Sequence, residues 1–432
     1  MDGQGCADSP GRTISRYEPV ARVWEWLFLG WIAFIPVMIR FNLRFLHRYT
    51  LPLADLLFVG ALAAFLVALL CGARRLRPCA WYLPLLAYAG ALILSTLTSE
   101  DVRRSAPKLA GDIYLILAAA LAINYATSLK YLRRVVFAWL AGTVATILGA
   151  ASGVILFFSG VTSLRKNPFL FTFGTLPPGH YPRIRSLFLN ANMMCGYTVA
   201  SVVILIAARE AGWISRAVFR TLLLGAIATA IFSLSPELGG LFLVLALWQS
   251  RLQAPGPRAR FTAAAGALAA ILFFMSVTIS PAPLSRTTLM ATLLHPEPGQ
   301  RVLTWIDGWH TFLAHPWTGR GLDANSADVH YVAASGIRYH NTVAHNTWLS
   351  IMAQQGLTGL VAFLWVVLHL VRRFRLRGGV FDKTSALRMG LELALIGGFL
   401  YPSLTGALEN TRHVWALMGL VAAVQEFPVT AD

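Results

Sequence analysis

The chain has 432 residues, of which 56% are hydrophobic and only 13% carry a charge. An ordinary soluble protein carries about 25% charged residues, so a chain of this composition needs a bilayer as its solvent. The net charge of +17 would suggest a nucleic-acid partner in a soluble protein. Here the charges lie in short loops between apolar runs, which favours a membrane protein and argues against nucleic-acid binding.

Twelve apolar runs are long enough, or nearly long enough, to cross a membrane. They cover residues 24–40, 51–71, 80–98, 108–127, 135–158, 187–208, 218–235, 238–250, 261–280, 346–371, 385–404 and 412–426. The pattern predicts an all-α, polytopic integral membrane protein of about 12 transmembrane helices, with one transmembrane domain over residues 1–432. Residues 159–186 and 281–345 interrupt the runs and predict a smaller and a larger outer loop. The larger loop is expected to be helical, because it is too rich in Trp and Leu for a disordered linker.

The distribution of Lys and Arg predicts the orientation of the chain. With twelve spans both termini lie on one side, and the loops on that side hold the larger share of the basic residues. We therefore expect a multi-pass membrane protein with both termini in the cytoplasm and both long loops on the outer side of the membrane.

Two short outer loops hold basic residues that insertion does not require. They are Arg40, Arg44 and Arg48 in one loop and Arg103, Arg104 and Lys108 in the other. Two interpretations stay open for these residues. Either they cross the membrane during insertion and have no function there, or they bind an anionic partner outside the membrane. Arginine suits the second role because it forms bidentate hydrogen bonds with phosphate.

The sharpest motif is His345-Asn346, followed after nine residues by Gly356-Leu-Thr-Gly359. It lies where the larger loop enters the tenth predicted span. We expect His345 at the helix N-terminus, where the helix dipole favours the neutral imidazole that a general base near pH 7 must be. Asn346 is expected to cap the helix, and Gly356 and Gly359 to let another helix pack closely. The alternative is a histidine at the start of a helix without a chemical role.

The His-Asn-x9-Gly-x-x-Gly run resembles the signature of the O-antigen ligase and polymerase superfamily. Other stretches are similar to that family: Arg301-Val-Leu-Thr-Trp305, Pro316-Trp-Thr-Gly319-Arg320-Gly321 and Arg183-Ile-Arg185-Ser-Leu-Phe188-Leu-Asn190-Ala-Asn192. The spans and the two outer loops follow the family's order across nearly the whole chain, which implies a GT-C-like fold. One departure is the turn Ser235-Pro236-Glu237, where many relatives carry Ser-Arg.

The resemblance implies a glycosyltransferase of lipopolysaccharide biosynthesis in a bacterial inner membrane, with both outer loops and the active site on the periplasmic face. Such ligases transfer a polysaccharide from undecaprenyl diphosphate to a sugar hydroxyl of the lipid A core, without metal, nucleotide sugar or other cofactor. The sequence agrees, since it has no Walker loop, no Asp-x-Asp pair in a loop and no His/Cys cluster. Without a metal, arginines must stabilise the diphosphate leaving group, and removing one such donor costs about 3 kcal/mol of barrier, or roughly a hundredfold in rate.

Under this interpretation His345 is the general base of an inverting displacement, and Arg183 and Arg301 are catalytic through their contact with the diphosphate. Three further arginines are expected to help hold the diphosphate: Arg185, Arg320 and Arg338. The acceptor is expected to contact Tyr339, His340 and the two basic outer loops. Structural roles stay open, namely that Arg301 ties the loop to the helices and that Arg183 anchors at the membrane interface. The acidic residues within or beside spans are interpreted as helix-end residues or partners of arginines rather than proton carriers: Asp112, Glu237, Glu392 and Glu409.

Other activities also stay open. An O-antigen polymerase and a protein O-oligosaccharyltransferase could share the same histidine and arginine machinery, although the basic outer loops favour a phosphorylated acceptor and hence the ligase. A lipid-linked-glycan transporter belongs to a different class. Transporters tend to bury charges near the membrane midplane, whereas this sequence concentrates charge at the outer rim.

Overall fold

The computed structural model describes residues 18–38, 52–164, 166–171, 182–251, 257–278, 300–332, 338–374, 383–409 and 411–427. Helices dominate these residues. In chain order they are α1 (Glu18–Phe34), α2 (Leu53–Leu70), α3 (Tyr82–Leu97), α4 (Val102–Tyr125), α5 (Leu129–Phe158), α6 (Ala191–Glu210), α7 (Arg216–Phe232), α8 (Gly239–Arg251), α9 (Pro257–Thr278), α10 (Gln300–Ala314), α11 (Thr347–Val371), α12 (Lys383–Leu395) and α13 (Arg412–Gln425).

The predicted all-α membrane fold is confirmed. Each of the apolar runs predicted as spans overlaps a helix, although the ends differ, and α10 is a helix within the larger loop, as expected. Among the described residues, five helices are long and apolar enough to cross a bilayer by themselves: Leu53–Leu70, Val102–Tyr125, Leu129–Phe158, Ala191–Glu210 and Thr347–Val371. Shorter apolar helices are Tyr82–Leu97, Pro236–Trp248 and Phe261–Met275.

Helix α6 lies at the centre of the bundle, since 83% of its most apolar window is buried inside the protein. It begins at Ala191 because the Asn190 side chain accepts a hydrogen bond from the Met193 amide at 2.8 Å and so caps the helix. Helices α5, α7, α8 and α12 pack around it. Small residues permit the closest approach of neighbouring helices, since a Cβ at Gly240 would lie 2.2 Å from the Gly397 carbonyl oxygen.

Two short antiparallel hairpins complete the described fold. Strand β1 (Leu170–Phe171) pairs with β2 (Arg183–Ile184), and β3 (Val329–Val332) pairs with β4 (Arg338–Asn341). The first hairpin precedes α6 and the second precedes α11. Both therefore lie in the segments that the sequence assigns to the smaller and the larger loop.

Interactions between helix termini define one end of the bundle. At the start of α13, Arg412 pairs with Asp55 near the start of α2 at 2.7 Å. Near the end of α3, the Ser95 hydroxyl donates to the Gln354 carbonyl of α11 at 2.8 Å. The Leu408 amide, shortly before α13, donates to the Thr347 hydroxyl at the start of α11 at 2.9 Å, so the start of α11 lies at this end, and the candidate site is built there.

Candidate active site

The turn before α11 holds His345 in a left-handed backbone conformation, with φ of 50°. Such a conformation is uncommon outside glycine, and histidine tolerates it better than most residues. The next residue fixes the turn, because the Asn346 side chain accepts hydrogen bonds from the Trp348 and Leu349 amides at 3.0 and 3.1 Å. The Asn346 amide also donates to the Leu404 carbonyl at 3.1 Å. The predicted cap is confirmed, and it joins the His345 turn to the segment after α12.

Helix α10 packs against the same turn and brings Arg301 to it. The Thr304 hydroxyl donates to the Ala344 carbonyl at 3.2 Å, one residue before His345. Gly308 allows this approach, since a Cβ there would lie 3.0 Å from the Ser326 carbonyl oxygen and 3.3 Å from the Ala344 methyl group. Arg301 is close enough to His345 for its positive charge to lower the pKa of the imidazole.

Arg183, on strand β2, is only 3% exposed. Its Nε donates to the Ser233 carbonyl at 2.8 Å, and its Nη2 donates to Asn192 Oδ1 at 2.7 Å. The Ser235 hydroxyl donates to the same Asn192 oxygen at 3.1 Å. Hydrogen bonds to Ser233 and Asn192 thus fix the Arg183 side chain, as a buried charge requires, and Ser235 holds the Asn192 side chain in turn.

Glu237 lies in the turn between α7 and α8 and is fully buried. Its carboxylate accepts a hydrogen bond from Ser235 and acts electrostatically on both Arg183 and Arg301. We call Arg183, Glu237 and Arg301 the Arg–Glu cluster. These interactions support the interpretation of Glu237 as a partner of arginines.

The cluster adjoins Tyr401, which contributes to the electrostatics of Arg301. The tyrosine ring fits against α8 only because residue 239 is glycine, since a Cβ there would lie 2.0 Å from the Tyr401 hydroxyl. The Tyr401 hydroxyl donates to the Ala269 carbonyl of α9 at 2.8 Å. The site is therefore assembled from the first hairpin, the α7–α8 turn, α10, the His345 turn and the segment after α12.

Helix α11 is interrupted at Gly356, where the turn Pro316–Gly321 contacts it. Gly356 has φ of 65° and ψ of −161°, which is not helical, and its neighbour Leu357 donates its amide to the Pro316 carbonyl at 2.8 Å. In the opposite direction, the amides of Arg320 and Gly321 donate to the α11 carbonyls of Ala353 and Gln354 at 2.9 and 3.0 Å. The turn Pro316–Gly321 is thus hydrogen-bonded directly into the interrupted helix.

The predicted role of the two glycines is wrong. A Cβ at Gly356 would meet the backbone of Trp317 and Gly319 at 2.4 to 2.5 Å, so this glycine accommodates a loop and not another helix. A Cβ at Gly359 would meet Gln355 of the same helix at 2.2 Å. The periodic apolar pattern of α11 hides this break, because it predicts an uninterrupted helix.

Residues 190–364 match a family model described as O-Antigen ligase. The match supports the O-antigen ligase family for this part of the chain. No curated protein matches the chain. The matched residues include His345, Arg301 and Glu237, whereas Arg183 lies just before them. The family comprises glycosyltransferase-like membrane enzymes of the ligase and polymerase type, which act on lipid-linked glycans.

The structure brings none of the other predicted diphosphate ligands into the described cluster. Arg185 donates its Nε to the Pro168 carbonyl at 3.0 Å and its Nη1 to the Leu189 carbonyl at 3.3 Å. Arg320 pairs with Glu100 at 2.9 Å, which attaches the Pro316–Gly321 turn to the loop before α4. The side chain of Arg338 lies outside the described residues.

Among the predicted acceptor residues, some are exposed, some are paired with acidic residues, and some lie outside the described residues. Arg103 is exposed at the start of α4, whereas Arg104 pairs with Asp323 at 3.1 Å and Lys108 with Asp112 at 2.5 Å. His340 is exposed and forms a hydrogen bond with Asp328 at 2.6 Å. The remaining predicted acceptor groups lie outside the described residues, namely the loop of Arg40, Arg44 and Arg48 and the side chain of Tyr339.

Burial is the main cause of the neutral state of His345, followed by the Arg301 charge, and together they lower the pKa of the imidazole to about 4 from its ordinary value of 6.5. Both causes favour the neutral ring that the sequence predicts, and they act in the same direction as the helix dipole. Burial likewise lowers the pKa of Arg183 to about 10, which leaves the guanidinium charged at neutral pH.

Sequence reasoning missed three polar residues of the site: Asn192, Ser235 and Tyr401. The first two occur within stretches that the family resemblance already marked, but nothing in their spacing indicated contact with Arg183. Tyr401 lies at the end of an apolar run without any motif. Only the packing of α8 against the segment after α12 reveals that it reaches the site.

Proposed function

We propose that the protein is an O-antigen ligase, which transfers a polysaccharide from undecaprenyl diphosphate to a sugar hydroxyl of the lipid A core. The observation that carries the proposal is the juxtaposition of a neutral histidine with the Arg–Glu cluster at one end of a membrane helix bundle. A neutral imidazole can accept a proton, and fixed guanidinium groups can receive the negative charge of a diphosphate. Both are needed when a sugar leaves its diphosphate carrier.

The charge of the cluster supports an anionic donor. Within the described site, two guanidinium groups face one carboxylate, so these three side chains sum to a positive charge in a largely buried place. Guanidinium groups bind phosphate oxygens through charge-assisted hydrogen bonds, so a diphosphate anion would bind favourably beside this cluster. Because Arg183 is already fixed by hydrogen bonds to Ser233 and Asn192, little reorganisation is needed when the donor binds.

The proposed reaction is a single displacement with inversion. His345 accepts the proton of the acceptor hydroxyl while that oxygen forms a bond to the anomeric carbon of the donor sugar. The bond between the anomeric carbon and the diphosphate oxygen breaks, and its electron pair leaves with undecaprenyl diphosphate. Arg183 and Arg301 stabilise the charge that develops on the leaving oxygen.

The acceptor is expected to approach from the side of α4, where Arg103 is exposed and Arg104 contacts Asp323 of the larger loop. The phosphates of a lipid A core would compete with Asp323 for Arg104. The orientation predicted from Lys and Arg places this end of the bundle in the periplasm, where both lipid-linked substrates would be available.

The test is complementation of a ligase-deficient strain that makes the matching donor and acceptor. Wild type, His345→Ala and His310→Ala are compared at equal expression, and O-antigen joined to lipid A core is read on a gel. His310 is an exposed histidine of α10 and serves as the control. We expect wild type and the control to restore the ladder, while His345→Ala leaves the glycan on its lipid carrier.

Each of the other outcomes would contradict the role of His345 or the ligase activity. Normal ligation by His345→Ala would show that this residue is not the base. Failure of wild type, with growth of the lipid-linked chain instead, would identify a polymerase. Movement of labelled lipid-linked glycan across the membrane without any product would identify a transporter.

A further inference from the structure

The hairpin before the His345 turn brings together two histidines and an aspartate. Strand register pairs His330 directly with His340, and their rings stack with centroids 4.0 Å apart and planes 7° apart. The Asp328 Oδ1 atom lies 2.6 Å from His340 Nε2 and 3.6 Å from His330 Nε2. One potential ligand atom from each residue lies within 4.8 Å of the other two.

The backbone explains why the three side chains meet. Residues two apart on an extended strand project from the same face, which places Asp328 beside His330. Residues directly opposite in an antiparallel pair also share a face, which places His340 beside both. The register of β3 and β4 therefore places the three side chains on one face of the hairpin.

We propose that Asp328, His330 and His340 bind one divalent transition-metal ion, of the zinc, copper or nickel class. Two imidazoles and one carboxylate form a donor set that suits these ions. One carboxylate oxygen faces two ring nitrogens here, and a single dication accepts lone pairs from all three groups at once. Their side chains are 58%, 71% and 47% exposed, so solvent or another ligand can complete the coordination.

Metal binding would close the hairpin at a place that is already joined to the site. The Asp328 amide donates to the Asp307 carboxylate of α10 at 2.6 Å. The Ala344 amide donates to the Ser326 hydroxyl at 3.0 Å, next to His345. An ion bound between β3 and β4 therefore restrains the segment that leads from α10 to the His345 turn. Its role is structural, and it takes no part in the transfer step.

The experiment uses the full-length protein in detergent, purified with a tag that contains no histidine and stripped with a chelator. Zinc is titrated by calorimetry, and copper is added separately so that electron paramagnetic resonance can count nitrogen ligands. We expect one tight zinc ion per chain and a two-nitrogen copper signal. Loss of one ligand should weaken zinc binding by about tenfold or more, since even outer-shell changes weaken metal sites by about 10- to 100-fold.

The variants are His330→Ala, His340→Ala and Asp328→Asn, with His310→Ala as the control. His310 is also an exposed histidine near this segment but does not belong to the cluster. The proposal stands if all three ligand variants lose the tight site and the control keeps it. It is overturned if wild type binds no zinc more tightly than the ligand variants, or if His330→Ala and His340→Ala retain the site. Because the readout is binding, the result does not depend on the proposed ligase activity.

Discussion

Replacing Gly356 with alanine tests whether the break in α11 is required for the fold around His345. The backbone at Gly356, with φ of 65° and ψ of −161°, lies in a region that is essentially reserved for glycine. An alanine Cβ would also lie 2.4 Å from the Trp317 carbonyl carbon and 2.5 Å from the Gly319 nitrogen. Both contacts are to backbone, so no flexible side chain can move aside. Backbone strain of about 1–3 kcal/mol and overpacking of about 1–3 kcal/mol sum to roughly 2–6 kcal/mol of lost stability.

The assay is thermal unfolding in detergent, with Gly90→Ala as the matched control. Gly90 lies inside α3, and a Cβ there would have no atom within 4 Å. Alanine at this position should stabilise the helix by about 0.5–1 kcal/mol. We expect Gly356→Ala to unfold at a lower temperature than wild type, and the control to unfold at the same or a higher temperature. If Gly356→Ala is as stable as the control, the turn Pro316–Gly321 does not constrain α11 as the contacts indicate.

Three further predictions concern the site. Arg183→Ala should reduce transfer about a hundredfold in an assay with purified donor and acceptor, whereas Arg185→Ala, whose side chain contacts only backbone carbonyls among the described residues, should have a much smaller effect. Glu237→Gln removes the carboxylate between two arginines and should lower the free energy of unfolding by about 3–5 kcal/mol, read by chemical denaturation. Protonation of His345 should make kcat/KM fall on the acid side with a midpoint near pH 4 and not near pH 6.5. The unfolded state binds the extra proton between these values, so this residue's contribution to stability is complete above pH 6.5 and is lost as the pH falls toward 4.

The helices could be predicted from the sequence because burial in lipid requires long apolar runs. The errors lie at helix ends, where polar residues are helical but fall outside the apolar run. Helix α4 begins at Val102 and not at residue 108, because Asp101 accepts a hydrogen bond from the Arg104 amide and caps the helix. A hydropathy pattern does not predict a helix start of this kind, whereas the preference for Asp at the N-cap position does.

The site could be predicted only where a motif marked it. His345, Arg301 and Arg183 were found through residue type and resemblance, and Asn346 through capping chemistry. The insertion of Pro316–Gly321 into α11 depends on backbone hydrogen bonds between segments about 35 residues apart in sequence, and no local pattern specifies such pairing. The sequence did not predict the group of Asp328, His330 and His340 for the same reason, since the two histidines become neighbours only through the register of β3 and β4.

The Arg–Glu cluster also links donor binding to the strength of the base. Arg301 lowers the pKa of His345, and a diphosphate held by Arg301 would offset that positive charge. The imidazole would then become a stronger base when the donor is in place, and remain a weak base when the site is empty. The pH dependence separates the two states, because kcat/KM reports the free enzyme and kcat reports the enzyme with substrate bound. We expect the acid limb of kcat to lie at higher pH than that of kcat/KM. Coincident limbs would mean that the donor diphosphate does not neutralise Arg301, and the arginine would then have to act elsewhere than at the leaving group.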